Sequence, residues 1–263
     1  MKRFLSQLGW PIGVFVVVMV AWHLATKVFE IPAYILPDPL RVLGAGLEKR
    51  ANLFSAVRIS AAEAGLGFVA SVVGGVLVAF VLAQSVVIRR CMFPYTILLQ
   101  TVPILAVAPL ILMWFGSGLR SIILIVFIIC LFPIIANTTQ GLISVDRNLL
   151  DLFRMGNASR AQTLSKLRFP HAIPNFFVGL RISSGLSVIG AFTGEMFASS
   201  SAVGEGGLGY SIIYANSQLQ TDYLFALVIA CAALGSCFFF TVVFFEWLFL
   251  HHWHASAMRP DPE

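Results

Sequence analysis

Residues Asp146 to Pro174 read DRNLLDLFRMGNASRAQTLSKLRFPHAIP, a long polar interruption between two strongly apolar segments. The stretch carries Arg147, Arg154, Arg160, Lys166 and Arg168, a basic concentration that its neighbours lack. Two helical patterns run through it, and a connector of that length is usually functional. Its meaning depends on what surrounds it. The chain has 263 residues, 59% hydrophobic and 11% charged. Its mean hydropathy is +0.90, which leaves too little polar surface to cover a soluble globule of this size. Apolar runs of about 20 residues recur, the length that crosses a hydrocarbon core of about 30 Å. They are continuous rather than alternating, which excludes a transmembrane β-barrel. The sequence therefore predicts an all-α integral membrane protein, with the lipid bilayer as its first partner.

The net charge of +5 and pI near 9.3 fit cytoplasmic loops rich in Lys and Arg better than nucleic acid. Cys91, Cys130, Cys231 and Cys237 have no CxxC spacing and read as small hydrophobes. Met1-Lys2-Arg3 before an apolar run resembles the start of a signal peptide. The run is long and no small-x-small site follows, so it reads as a transmembrane helix in preference to a cleaved leader.

The first span covers about residues 8–28, with Pro11 near its start, where a missing N–H costs little. A connector through Pro37-Asp38-Pro39 leads to an amphipathic segment, residues 40–58, that lies at the interface or packs beneath the bundle without spanning. The second span, residues 62–87, has small residues Ala70, Gly74, Gly75 and Ala79 at helix-contact spacing. The third, residues 93–114, contains Pro94, Pro103 and Pro109 together with Gln100 and Thr101, and should be kinked or partly unwound. Residues 120–143, 175–198 and 223–249 complete six spans, with a Gly-rich connector before the last, all in a single domain of residues 1–263. Loop Lys and Arg place both termini in the cytoplasm, together with the long loop and its five cations.

Few stretches look like chemistry. GEGGLG contains a literal G-x-G-x-x-G at Gly204, Gly206 and Gly209, but it follows a membrane helix instead of a strand, so the match is accidental and the glycines read as a mobile or tightly turned connector. There is no Walker A sequence, so nucleotide hydrolysis is not expected of this chain. His251, His252 and His254 read as an interfacial rim in preference to a metal site, and His171 as a packing residue. No catalytic triad or nucleophile motif is present. In the fifth span, Ser183, Ser187, Gly190, Gly194 and Ala198 share one helix face. Two accounts are open: close packing, favoured for the glycines, and a polar pathway lining, favoured for the serines. Glu195, near the end of the same span, is either functional at membrane depth or a helix cap or ion-pair partner.

The long loop also carries a family resemblance. From Asp151 to Pro170 it resembles the EAA loop of ABC importer permeases, whose pattern is Glu-Ala-Ala, three residues, Gly, nine residues, Ile, one residue, Leu-Pro. In register on Pro170, Asp151 takes the Glu position, Leu152 and Phe153 the alanines, Asn157 the Gly, Leu167 the Ile and Phe169 the Leu. Only the proline is identical. Asn is the non-Gly residue best suited to a left-handed backbone, so Asn157 should have positive φ and separate two short helices. Leu36-Pro37-Asp38-Pro39, Leu99-Gln100-Thr101-Val102-Pro103, Trp114-Phe115-Gly116, Gly179-Leu180-Arg181-Ile182, Gly194-Glu195 and Gly207-Leu208-Gly209-Tyr210 resemble the branch serving nitrate, sulfonate, taurine, bicarbonate and pyrimidine-precursor uptake.

The resemblance implies a type I importer permease fold in a bacterial inner membrane, with cytoplasmic coupling helices. It further implies a second permease copy, two cytoplasmic ATPases that bind the ATP and Mg, and an extracytoplasmic solute-binding protein; no cofactor is implied in this chain. The coupling residues would be Asp151, Leu152, Phe153, Arg154, Met155, Asn157, Arg160 and Pro170, with Phe153 pointing at a partner. Gln100, Thr101, Ser183, Ser187 and Glu195 are the pathway candidates. An ion-coupled secondary transporter is the competing reading; it would need intramembrane ion ligands and internal repeats.

Overall fold

Small residues repeated every three or four positions decide how the bundle packs. In the computed structural model, which describes residues 2–198 and 206–251, helix α3 (Arg50–Gln84) buries Ser60, Ala64, Gly67, Ser71, Gly75 and Ala79 along one stripe. Helix α6 (Leu119–Ile143) lies directly against it: a Cβ on Gly67 would strike Val126, and one on Gly75 would come within 2.7 Å of Ile134. In lipid, where water drives nothing together, such close backbone approach is what associates helices. Gly75 and Ala79, noted in the sequence for their spacing, face this seam, and Gly74 meets the Phe127 ring at its edge.

Contacts rise in the same order along α3 and α6, so the two run parallel. Helix α9 (Phe169–Phe197) runs opposite to both, with Gly190 against Val126, Gly179 against Pro133 and Ala172 against Gly141. Two parallel neighbours require the chain to return between them. It does so in two pieces, α4 (Val86–Thr101) and α5 (Ile104–Phe115), broken at Val102 and Pro103, which is the unwinding that the prolines lead one to expect. Helix α11 (Thr221–Leu250) runs opposite to α9, with Arg181 Nε 3.2 Å from Glu246 and the Phe177 ring 6.0 Å from Phe249. Helix α1 (Lys2–Val28) touches α11 through Trp22 and Phe225. Among the described residues, four helices are long and apolar enough to cross a membrane: α3, α6, α11, and α9 with the turns that lead into it; shorter apolar helices run from Gly13 to Val28 and over α5. Among the described residues there is no strand.

Three boundaries differ from the sequence reading. Residues 40–58 are not one helix. Helix α2 (Pro39–Glu48) ends at Lys49, and the next residues open α3. The Lys49 ammonium leaves the helix line to hydrogen-bond Gln220 and lie 4.8 Å over the Tyr223 ring. Asp38 caps α2 by accepting the Leu40 N–H at 2.9 Å. That bond, with smaller help from His23 and Lys27 and against a desolvation effect of opposite sign, holds the Asp38 carboxyl below the ordinary aspartate range.

The long loop ends at Ser159 rather than Pro174. Helix α8 (Arg160–Thr163), a π-helical turn (Leu164–Arg168) and α9 follow one another without a break. Pro170 has no N–H to give, and the widened turn, in which the Phe169 N–H reaches the Leu164 carbonyl five residues back, lets the helix pass it. Pro170 and Pro174 therefore lie inside a helix. Finally, the connector before α11 contains helix α10 (Leu208–Ser217), while residues 199–205 lie outside the described residues.

Candidate functional site

At one end of the bundle, α3, α9 and the start of α10 converge on Glu195, which is 3% exposed. Its Oε1 accepts the Ser60 hydroxyl at 2.5 Å and its Oε2 accepts the Gly209 N–H at 2.6 Å. The Ser60 oxygen in turn accepts the Leu208 N–H at 2.8 Å. One carboxylate thus fastens the first turn of α10 to both long helices, so Glu195 does cap a helix end, though not its own. The glycines are what permit it: a Cβ on Gly207 would overlap the Glu195 carboxyl, and one on Gly209 would overlap the Phe192 carbonyl. The glycine-rich connector is thus closely packed from Gly206 onward; Gly204 lies outside the described residues.

Glu63, on α3 and 7% exposed, lies beside Glu195, and its Oε2 has no hydrogen-bond partner. Both acids line a cavity of about 200 Å³, with Ser117, Gly118, Gly207 and Tyr210 among the other lining residues. The sequence reading missed Glu63 and Ser60. The signal was an acid inside an apolar run, the same rule that singled out Glu195.

The remaining pathway candidates separate. Ser183 and Ser187 are fully buried; Ser183 donates to the Cys130 carbonyl at 2.9 Å and Ser187 to the Ser184 carbonyl at 2.8 Å. Packing, rather than a pathway lining, accounts for both: the α6–α9 seam leaves their hydroxyls no open space. Cys130, in the same seam, packs as the small hydrophobe expected of it. Gln100 and Thr101 stand at the α4–α5 break and are exposed, with the Thr101 hydroxyl donating to Leu98 at 2.9 Å.

The opposite end of the bundle carries helix α7 (Arg147–Met155), started by Asp146, which accepts the Asn148 N–H at 2.9 Å. Asn157 lies at φ 52°, the left-handed geometry expected for it, and the Ala158 N–H closes the helix on the Phe153 carbonyl at 3.0 Å. Ser159 and Gln162 then form a reciprocal capping box that starts α8. On α7, Leu149, Leu152 and Met155 are exposed at 43%, 57% and 76%. Phe153 is half-buried, so the outward apolar strip runs through Leu149, Leu152 and Met155 instead of centring on Phe153. Arg154 pairs with Asp151 at 2.8 Å on the surface, and Arg160 is exposed. Arg168 donates to the Ala83 carbonyl at 3.3 Å, tying the π turn to the end of α3. His171 meets Ser144 at 3.4 Å, and His251 stacks on Trp247 at 4.9 Å; His252 and His254 lie outside the described residues.

Residues 71–249 match the family described as binding-protein-dependent transport system inner membrane component. The chain belongs to this family. The permease is 30% identical over 236 residues to the formylaminopyrimidine transport permease protein ThiX of Halalkalibacterium halodurans, covering 89% of this chain and 92% of that one. It is 28% identical over 236 residues to the taurine transport system permease protein TauC of Escherichia coli strain K12, covering 87% and 84%. A solved structure titled as an amino acid ABC transporter with histidines matches its fold with a TM-score of 0.58 at 18% identity, covering 78% of the permease and 96% of that chain. The permease is thus a multi-pass transmembrane subunit of an ABC importer of the branch to which the sequence pointed.

Proposed function

We propose that two copies of the permease enclose a pathway for a small polar or anionic nutrient of the nitrate, sulfonate or taurine, bicarbonate or pyrimidine-precursor type. Alternating access is driven by two cytoplasmic ATPase subunits that bind ATP and Mg, and an extracytoplasmic binding protein delivers the solute. The six crossings, with both termini cytoplasmic, are α1, α3, the α4–α5 pair, α6, α9 and α11. The opposed directions of α9 against α3 and α6, and of α11 against α9, support that count, and the α4–α5 pair spans in two pieces where Gln100 and Thr101 face the second copy. The relatives named for formylaminopyrimidine and taurine support the solute class.

The observation that carries the reading is the exposed strip Leu149, Leu152 and Met155 on a short, doubly capped helix at the basic end of the bundle. A soluble loop has no reason to hold three apolar side chains in water unless a partner covers them. The strip docks in a groove of the ATPase, with Asp151, Phe153 and Arg154 framing it, Asn157 setting the turn, and Arg160 and the Pro170 turn leading into α9. Closure of the ATPase pair pushes on α7, and the continuous helix from Arg160 to Phe197 carries the push to the far end of the bundle. Leu152→Asp tests this. The purified complex should lose its ATPase, and uptake should fall by roughly two orders of magnitude, while the variant keeps the wild-type unfolding midpoint because Leu152 supports nothing inside the bundle. An intact complex with normal uptake would sink the proposal.

A further inference from the structure

The cavity at the Glu195 end has a feature that the docking of α7 leaves unexplained. Among the described residues, its lining includes two acids and no Lys, Arg or His; Arg58 and Arg120, next in sequence to lining residues Ile59 and Leu119, do not line it. The Ser60 hydroxyl and the Gly209 N–H both serve Glu195. Glu63 is left with a buried, unpartnered oxygen on a side chain that lines the cavity. A buried carboxyl oxygen without a donor is costly unless something enters to meet it.

The chemistry of the walls narrows what that is. Two carboxyl groups and the hydroxyls of Ser117 and Tyr210 are hard oxygen ligands, suited to compact hard cations and not to metals that prefer thiolate or imidazole. A volume of about 200 Å³ holds an ion with several of its waters, at about 30 Å³ per water. Ser117 and Gly118 are exposed, so the cavity has a mouth through which an ion can enter. We propose that this cavity binds a compact cation between the carboxyl groups of Glu63 and Glu195, beside the fastened first turn of α10. The cation is either an inorganic ion or the ammonium group of a solute; both present a small positive charge to the same oxygens.

Full-length permease in nanodiscs provides the test, through its thermal unfolding midpoint in sodium, potassium, calcium or methylammonium chloride against choline chloride at one ionic strength and neutral pH. At least one compact cation should raise the midpoint saturably where choline does not. A response to the metal salts identifies an inorganic ion, and a response to methylammonium alone identifies an ammonium group. Glu63→Gln keeps the side-chain shape and should weaken the half-saturating concentration roughly tenfold or more, about the loss of one carboxyl ligand. Ser117→Trp, placed at the mouth where folding is not at stake, should abolish the response independently. Glu246→Gln, an acid paired with Arg181 outside the cavity, should leave it unchanged. Identical midpoints in all salts, or a response that survives both cavity substitutions, would overturn the proposal. No ATPase or transport enters the measurement, so its outcome is separate from that of the docking test.

Discussion

Asn157 is where a single residue carries most. It lies at φ 52°, a conformation that costs most L residues about 1–2 kcal/mol and that Asn tolerates best among them. The turn it makes ends α7 and aims Ser159 to start α8. Asn157→Gly should therefore match the wild type in both stability and uptake. Asn157→Val should lower unfolding free energy by about 1–2 kcal/mol and impair uptake further by misdirecting α7. Equal behaviour of the two variants in thermal melts and uptake would show that the turn is not held by this residue. Its geometry was legible because one backbone requirement falls on one residue type. The half-burial of Phe153 was not: spacing lists the apolar positions of a helix, but which of them is covered is decided by the chain around it.

Between elements, the α3–α6 seam controls the bundle, because Gly67 and Gly75 bring the two backbones together where lipid offers no other drive. Gly67→Val would force its side chain into Val126 and should cost about 1–3 kcal/mol, the range for overpacking. Gly44, with open space around its Cβ position, should accept Val with a far smaller change. If both variants shift the unfolding midpoint equally, helix propensity and not the seam explains the loss. Small-residue spacing made the Gly75 and Ala79 part of this seam readable in advance, whereas Gly67 and two other features stayed hidden. Prolines at 170 and 174 argue for a helix stop, yet a π turn at Leu164–Arg168 carries the helix through, which is a backbone solution without a residue signature. Helix α10 is short and enters through glycines, so its polar flank read as a connector; what makes it a helix is Glu195, fourteen residues before the Gly209 N–H that it accepts.

For the whole molecule, the two ends of the bundle differ in kind. One holds α7, the exposed strip and the cations Arg147, Arg154, Arg160, Lys166 and Arg168; the other holds the carboxyl pair, α10 and the turn at Leu219. The α6-to-α9 link lies at the first end and the α9-to-α11 link at the second, so a membrane around the bundle must separate Met155 from Leu219. In the orientation proposed above, the loop cations lie at the cytoplasmic end. Single cysteines at these positions, 76% and 87% exposed, report the assignment once Cys91, Cys130, Cys231 and Cys237 are replaced. A membrane-impermeant maleimide should label Leu219→Cys in intact cells and Met155→Cys only in inside-out vesicles. The opposite pattern would invert the molecule and remove α7 from reach of any cytoplasmic ATPase. Labelling of both from one side would mean that α9 does not cross, and would leave the parallel packing of α3 and α6 without the return that it requires.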